Sequence, residues 1–263
     1  MDDALYGICP LSIAPLRAEP SDRAEQVTQA VFGECYEVLV TQEKWLRIRL
    51  ATDGYEGWLD AKQHQAVPPA WYAEWCAAQP HPRSLDVVGV VSDDHTRLPV
   101  PLGSVLPFFD GLTLHLGPAR KLFFNGLATN PRQPNPDALL LKVANLYRGA
   151  PYQWGGKSIF GLDCSGFTQQ VFGLLGKALP RDAAQQVSVG EAVHFVEQTR
   201  PGDLAFFDNA DGRIVHVGLI VGSEGQILHA SGEVRLDRLD HHGIFHGGRA
   251  QYSHRLRVIR RVL

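Results

Sequence analysis

The spacing of apolar residues changes character along the chain. Over residues 1–66 it is short and strand-like. The run VFGECYEVLVTQEKWLRIRL mixes β-branched and aromatic residues with turn formers and continues into DGYEGWL, with Trp45 and Trp58 as expected core anchors. Short strands at this spacing suggest a small β-barrel. Residues 71–79 (WYAEWCAAQ) read as a short helix or connector ended by Pro80 and Pro82. Strand patterns return over 83–127: LDVVGVVS, a turn at Asp93 and Asp94, then LPVPLGSVLPFF, LTLHL and KLFFNG. A second small barrel at 70–127 is the natural reading. Residues 128–137, with three prolines, read as a linker.

From residue 138 the period becomes helical. Leu139, Leu140, Val143, Ala144 and Tyr147 recur on one face, and Gly149 stops the helix. A Gly-rich loop leads to a second helix from about Ser165, with Phe167, Val171, Leu174 and Leu175 on its buried face and Gly176 as its stop. After Pro201 the segments DLAFFD, IVHVGLIVG, QILHAS and HRLRVIRRV read as strands, with a turn at GSEGQ. Helices first and a sheet second give an α+β layout for 138–263.

Composition narrows the classes. The 263 residues are 44% hydrophobic, enough to bury a core, and a net charge of −3 with scattered basic residues offers no nucleic-acid surface. The first residues lack a basic start, a long apolar run and a small-residue cleavage site, so the expectation is a cytoplasmic protein without membrane insertion. The four cysteines, Cys9, Cys35, Cys76 and Cys164, make no C-x-x-C pair, and the first three read as small core residues. His241, His242 and His246 (HHGIFHGG) invite a metal reading. The surrounding glycines favour a loop and no H-E-x-x-H is present, so no metal and no cofactor is expected. Arg257, Arg260 and Arg261 read as solvated charges on an edge strand.

Three segments in order carry candidate chemistry: LDCSGFTQQVF, VHVGLIV and ILHAS. A thiol nucleophile needs a stabilised anion, a base within reach and a partner that orients the base. Cys164 falls at a helix start, where the dipole and free N–H groups favour an anionic sulfur and could receive an oxyanion. His216 sits in an apolar strand, with Val215, Val217, Leu219 and Val221 on one face and His216, Gly218 and Ile220 on the other; Gly218 leaves room beside the imidazole. His229, on the next strand, can hold the His216 ring. Each residue also has a plain structural reading, a histidine of the core bonded to a carbonyl above all.

These residues closely resemble the NlpC/P60 family, through PYQWGG, DCSGF, LPRDAAQQ, RPGDLAFF, HVGLIVG and ILHAS, over about 125 residues. The resemblance implies a papain-like half-fold with Cys164 as nucleophile, His216 as base, His229 as the third polar residue and Tyr152 near the oxyanion. Residues 1–66 are similar to bacterial SH3 (SH3b) domains through VFGE, WLRI and DGYEGWL. The expected architecture is therefore a papain-like NlpC/P60 domain preceded by two small β-barrel SH3b-like domains.

The combination is similar to γ-D-glutamyl-L-diamino acid endopeptidases of the YkfC type. It implies hydrolysis of peptidoglycan-derived peptides between γ-D-glutamate and meso-diaminopimelate or lysine, on muropeptides with a free N-terminal L-alanine, in murein recycling. A substrate ammonium would need carboxylates. Asp163 and Asp182 match the amine-binding positions and Ser165 a substrate-backbone contact, while Tyr55 and Glu25 match SH3-module residues that close the pocket. Ala183 departs from a serine common in relatives. Asp163 and Asp182 equally suit helix caps, Tyr55 a surface aromatic and Glu25 a solvated carboxylate. A hydrolase of intact peptidoglycan, a non-catalytic wall-binding SH3b protein and an amidase or acyltransferase with the same triad are the competing readings.

Overall fold

The computed structural model describes residues 5–130, 136–222 and 225–263. Residues 131–135 of the proline-rich stretch expected as a linker, and Ser223 and Glu224 of the expected GSEGQ turn, lie outside the described residues. The described chain forms two compact units that are not contiguous in sequence.

The first unit takes residues up to 130 together with 154–159 and 176–178. It opens with β1 (Tyr6–Ile8), β2 (Ile13–Arg17), β3 (Gln26–Val31), β4 (Cys35–Gln42), β5 (Trp45–Leu50), β6 (Glu56–Asp60) and β7 (Gln65–Ala66). These pair in the order β3-β2-β6-β5-β4-β1-β7. Strand alternation turns Leu46, Ile48, Leu50 and Leu59 inward onto Ala14, Leu16, Ala30 and Tyr36. Trp45 is buried, but Trp58 is not the core anchor expected. On β6 the inward positions are Gly57 and Leu59, which puts Trp58 on the other face, half-exposed and opposite Arg47.

Helix α1 (Pro69–Ala77) starts with proline in its first turn, where the missing N–H costs nothing, and buries Trp71 and Trp75 one turn apart. The strands β8 (Val88–Ser92), β9 (Arg97–Pro101), β10 (Thr113–His115) and β11 (Lys121–Phe124) make a separate sheet ordered β10-β11-β8-β9. Asp93 Oδ1 accepts from the backbone of His95 and Thr96, which closes the β8–β9 turn. A four-stranded sheet of this size cannot cover its own apolar face. It shares a core with the first sheet: Trp71 and Trp75 lie between Ile8, Phe32 and Cys35 on one side and Val91, Val100, Leu122 and Phe124 on the other.

The segment 154–159 belongs to this first unit although the helical half of the sequence surrounds it. It holds β12 (Lys157–Ser158). Lys157 N donates to Gln29 Oε1 at 2.8 Å, Gln26 Nε2 donates to Trp154 O at 3.1 Å, and Trp154 Nε1 donates to Glu25. Lys157 Nζ, 2% exposed, reaches Glu34, 1% exposed, at 3.0 Å, with Asp53 4.0 Å away. Burial alone would raise the Glu34 carboxyl, but Lys157 and Arg83 hold it below its ordinary value.

The second unit begins with α2 (Pro136–Leu146), whose Leu140, Val143 and Ala144 are buried. It continues through β13 (Gly161–Leu162), α3 (Cys164–Leu174) and α4 (Ala183–Gln186). Helix α3 is not one-sided as its pattern suggested. Thr168, Gln169 and Gln170 are buried with Phe167 and Val171, because α3 packs on α2, on α4 and on the sheet. Thr168 Oγ1 donates to Gln186 Oε1 at 2.7 Å, and Gln169 Nε2 to Leu179 O at 3.0 Å. Gly176, at φ 77°, supplies the left-handed residue that ends the helix.

The sheet comprises β14 (Glu191–Val193), β15 (Leu204–Asp208), β16 (Ile214–Gly222), β17 (Gln226–Ser231), β18 (Glu233–Leu239), β19 (Gly243–His246) and β20 (Gln251–Arg261). Its order is β14-β20-β15-β16-β17-β18-β19, and an added β19–β20 pairing closes six strands into a barrel. Ala205, Phe207, Ile220, Ile227, Leu239, Ile244 and Ile259 pack together as its apolar core. Closure corrects the expectation of solvated edge arginines for Arg260 and Arg261, whereas the Arg257 side chain is exposed as expected. Strand β20 has partners on both sides, Arg261 Nη2 reaches buried Asp203 at 2.8 Å, and Arg260 Nε donates to Val187 O. Among the described residues no helix is long and apolar enough to cross a membrane.

The buried Lys157–Glu34 pair predicts an asymmetric mutational response. Lys157→Met should destabilise the first unit by about 3–5 kcal/mol, because it strands a buried carboxylate. Combining it with Glu34→Leu should recover part of that loss. Thermal or urea unfolding of the three proteins checks both statements.

Candidate active site

Asp163 ends β13's approach to α3 in extended conformation and caps the helix: Gly166 N donates to its Oδ1 at 2.6 Å. The same carboxylate takes a two-pronged contact from Arg181, Nη1 to Oδ1 at 3.0 Å and Nη2 to Oδ2 at 2.6 Å. Ser165 Oγ joins this cluster, donating to Asp163 Oδ1 at 3.2 Å and accepting from Arg181 Nη1 at 3.0 Å. Arg181 is 1% exposed, so this is a buried ion pair and not a surface one. Asp163 therefore combines the capping role with an arginine partner that balances its charge.

Cys164 follows directly, 7% exposed. The backbone of Ser165 and of Val217 lies close enough to the sulfur to favour its anion. Val217 is the neighbour of His216 on β16, so the thiol lies against the strand that carries that imidazole. The N–H groups at the helix start favour an anionic sulfur, as expected from sequence, but they are not the largest influence on it. Burial and the adjacent Asp163 outweigh the N–H groups and Arg181 and push the thiol up to about 12. Tyr152, before β13, lies close enough to feel Cys164, Asp163 and Arg181; burial, then the first two, raise its hydroxyl to about 12.

His216 is buried, and its Nε2 lies 2.9 Å from His229 Nδ1. His229 Nε2 lies 3.0 Å from Asp237 Oδ2 on β18, and Asp237 receives Arg235 Nε at 2.7 Å and Nη2 at 3.0 Å. A carboxylate accepts, so His229 donates from Nε2 and presents a lone pair at Nδ1. His216 in turn donates from Nε2, which leaves its lone pair on Nδ1. Burial on its own would raise the Asp237 carboxyl, but the bonds from Arg235 and His229 hold it below its ordinary value. The space expected beside Gly218 is filled: a Cβ there would meet Ile227 Cδ1 at 2.7 Å and His229 Cβ at 3.0 Å. The glycine is what lets β17 bring His229 up to the His216 ring.

A third imidazole completes the cluster. His254 on β20 stacks on His216 with ring centroids 4.0 Å apart and planes 21° apart. The His241 and His242 rings lie with centroids 3.9 Å apart and planes tilted by 43°, and His246 Nδ1 accepts from Arg249 N. Asp182 caps α4, and Gln185 Oε1 accepts from its backbone N–H at 3.2 Å. Tyr55 and Glu25 belong to the first unit. Tyr55 N donates to Asp53 Oδ1 at 2.9 Å, and Glu25 receives Trp154 Nε1. Of the expected site residues, the second unit thus brings Tyr152, Asp163, Cys164 and Ser165 together at the head of α3, and His216 and His229 on β16 and β17.

Arg181, Asp237 and His254 were not singled out by sequence. A faint signal existed for Asp237, which lies two residues past Arg235, the cross-strand partner of His229. Nothing local marks Arg181, whose partner lies 18 residues away, or His254.

The geometry matches known proteins. Residues 149–247 match the NlpC/P60 family, and residues 16–63 match the bacterial dipeptidyl-peptidase SH3 domain. The chain carries an NlpC/P60 domain behind a bacterial SH3 domain. A curated relative named gamma-D-glutamyl-L-lysine dipeptidyl-peptidase from Bacillus cereus is 29% identical over 77% of this chain and 66% of its own length. One of the same name from Bacillus subtilis is 42% identical over 35% of this chain and 31% of its own length. The chain thus spans under two thirds of one relative and about a third of the other. The crystal structure of an NlpC/P60 family protein from Bacillus cereus superimposes with a TM-score of 0.77 over 98% of this chain and 99% of that one, at 22% identity, which shows a shared fold.

Burial holds the imidazoles of His216, His229 and His254 below their ordinary value, His216 well below and His254 near 4. Folding therefore expels protons that the unfolded chain keeps up to about pH 6.5. Stability should be fully present above that pH and fall as the pH drops from about 6.5 towards 4. His254→Phe should flatten the slope in this window, as read from urea midpoints at pH 7 and pH 5.

Proposed function

We propose that this protein is a cysteine peptidase acting on peptidoglycan-derived peptides, with Cys164 as nucleophile and His216 as base. The observation that carries the reading is the directed hydrogen-bond chain Asp237–His229–His216, which leaves the His216 lone pair on Nδ1 while the sulfur rests on the N–H of the next residue. Thiol and imidazole are both neutral at rest. As sulfur attacks the scissile carbonyl carbon, His216 Nδ1 takes the thiol proton, and the imidazolium is stabilised through His229 to Asp237. The Ser165 N–H at the head of α3 and the Tyr152 hydroxyl are placed to receive the oxyanion. Collapse breaks the C–N bond, and His216 returns the proton to the leaving amine. Water, deprotonated by His216, then hydrolyses the thioester.

The substrate bond is the γ-D-glutamyl–diamino acid amide, and the released product is L-alanyl-γ-D-glutamate. Support comes from the names of the two Bacillus relatives and from the match to the dipeptidyl-peptidase SH3 domain. In this reading the substrate's free L-alanine ammonium is met by Asp163 and Asp182, with Ser165 on the substrate backbone. The setting is the recycling of cell-wall fragments.

Mass spectrometry of products from L-Ala-γ-D-Glu-L-Lys, its meso-diaminopimelate counterpart and their N-acetylated twins tests the proposal. Cleavage should occur after glutamate, fall by about 10⁴-fold or more in Cys164→Ala and in His216→Ala, and be lost on acetylation. Equal rates on free and acetylated peptides would replace the recycling reading with that of a hydrolase of intact wall. No hydrolysis of any of these peptides would leave the wall-binding reading.

A further inference from the structure

A hydrogen bond holds the His216 ring at one atom, Nε2, 2.9 Å from His229 Nδ1. A bond at one atom leaves the plane of the ring free to rock about it. The torsion that sets this plane in histidine is broad, without staggered wells, so packing has to select it. The plane matters because the lone pair on Nδ1 lies in it. His229 holds only the edge, since the two rings meet at 87°. The face of His216 is covered by His254, with centroids 4.0 Å apart and planes 21° apart. The two residues come from β16 and β20, and β15 runs between these strands. Phe207 of β15 packs against both rings, 5.7 Å from His216 and 5.9 Å from His254. His254 is itself held in place. A Cβ on Gly243, at φ 141°, would collide with His254 O, so the glycine is what lets β19 close on this backbone. Ser253 Oγ lies 2.8 Å from His254 Nδ1.

We infer that His254 is a positioning residue for His216: its stacked ring fixes the plane of the base, and with it the direction from which Nδ1 accepts the thiol proton. The role rests on the proposed function of His216 as base. A flat partner is what the task requires, because a face-to-face contact resists rocking of the ring while leaving both of its nitrogens free at the edge. The partner also has to be uncharged when His216 becomes an imidazolium. Burial, with a smaller contribution from His229, holds His254 near 4, so it is neutral at pH 7 and sets no like charge across the stack.

The full chain and its variants, compared at pH 7.5 on whichever free peptide the wild type cuts, test the kinetic side. In His254→Ala, kcat should fall about tenfold or more while KM stays within about twofold, because the missing ring lies behind the base and not on the substrate. His254→Phe returns a flat, uncharged ring to the stack and should restore kcat to within about threefold of wild type. Proton nuclear magnetic resonance of the substrate-free chain tests the geometric side. The His216 Nε2–H signal, identified by its loss in His216→Ala, should exchange with water about tenfold or more faster in His254→Ala than in wild type or His254→Phe, because a rocking ring breaks the bond to His229. Far-ultraviolet circular dichroism shows whether each variant is folded. If the alanine variant is not, His254→Leu, which fills the volume without a flat face, takes its place. A smaller loss of kcat, a loss carried by KM, or a loss that phenylalanine does not restore overturns the positioning role. So does an Nε2–H that exchanges in His254→Ala as slowly as in wild type. The resonance arm uses no substrate, so it decides this role even if none of the peptides is cut and the proposed function fails.

Discussion

One proton shared between two histidines sets the chemistry of this molecule. Asp237 takes the hydrogen of His229 at Nε2, which obliges His229 to accept at Nδ1, which obliges His216 to donate from Nε2. The lone pair of His216 is thereby assigned to one nitrogen before any substrate arrives. Three adjacent strands must hold register for this to work, and barrel closure through β19 and β20 supplies that constraint. Gly218 supplies the clearance. The polar chain lies beside an apolar cluster of isoleucine, leucine and phenylalanine, where misdirected donors have no water to fall back on.

The head of α3 answers a different electrostatic problem. A carboxylate directly before a cysteine works against a sulfur anion, and here Asp163 adds to burial in keeping the thiol protonated. The carboxylate nonetheless fixes the first turn of the helix, and Arg181 offsets its charge from a buried position. Burial and a neighbouring carboxylate thus favour the neutral thiol, while Arg181 and the backbone at the head of α3 work the other way.

Much of this was legible in the sequence, for identifiable reasons. Cys164, His216 and His229 stood out because a periodic apolar pattern frames them, Cys164 at the start of a helical stripe, His216 inside an apolar strand and His229 in ILHAS on the next strand. The helical stripe of Leu140, Val143 and Ala144 was readable for the same reason. What escaped depended on partners distant along the chain. Arg181 meets Asp163 only once α3 and the following loop have packed, and His254 joins His216 only through barrel closure. Trp58 misled because large aromatics are usually core, whereas its strand parity sends it outward. Arg260 and Arg261 misled because a last strand is usually an edge, and here it is flanked on both sides.

The placement of residues 154–159 has a practical consequence for dissecting the protein. The stretch lies inside the sequence of the NlpC/P60 domain, yet its lysine is neutralised by a glutamate more than a hundred residues earlier. A fragment starting near residue 138 would inherit an ammonium without its counter-ion and a tryptophan without its acceptor. Chimeras that exchange SH3 modules among relatives therefore need to transplant this hexapeptide along with the module, since the heritable cassette is discontinuous in the gene.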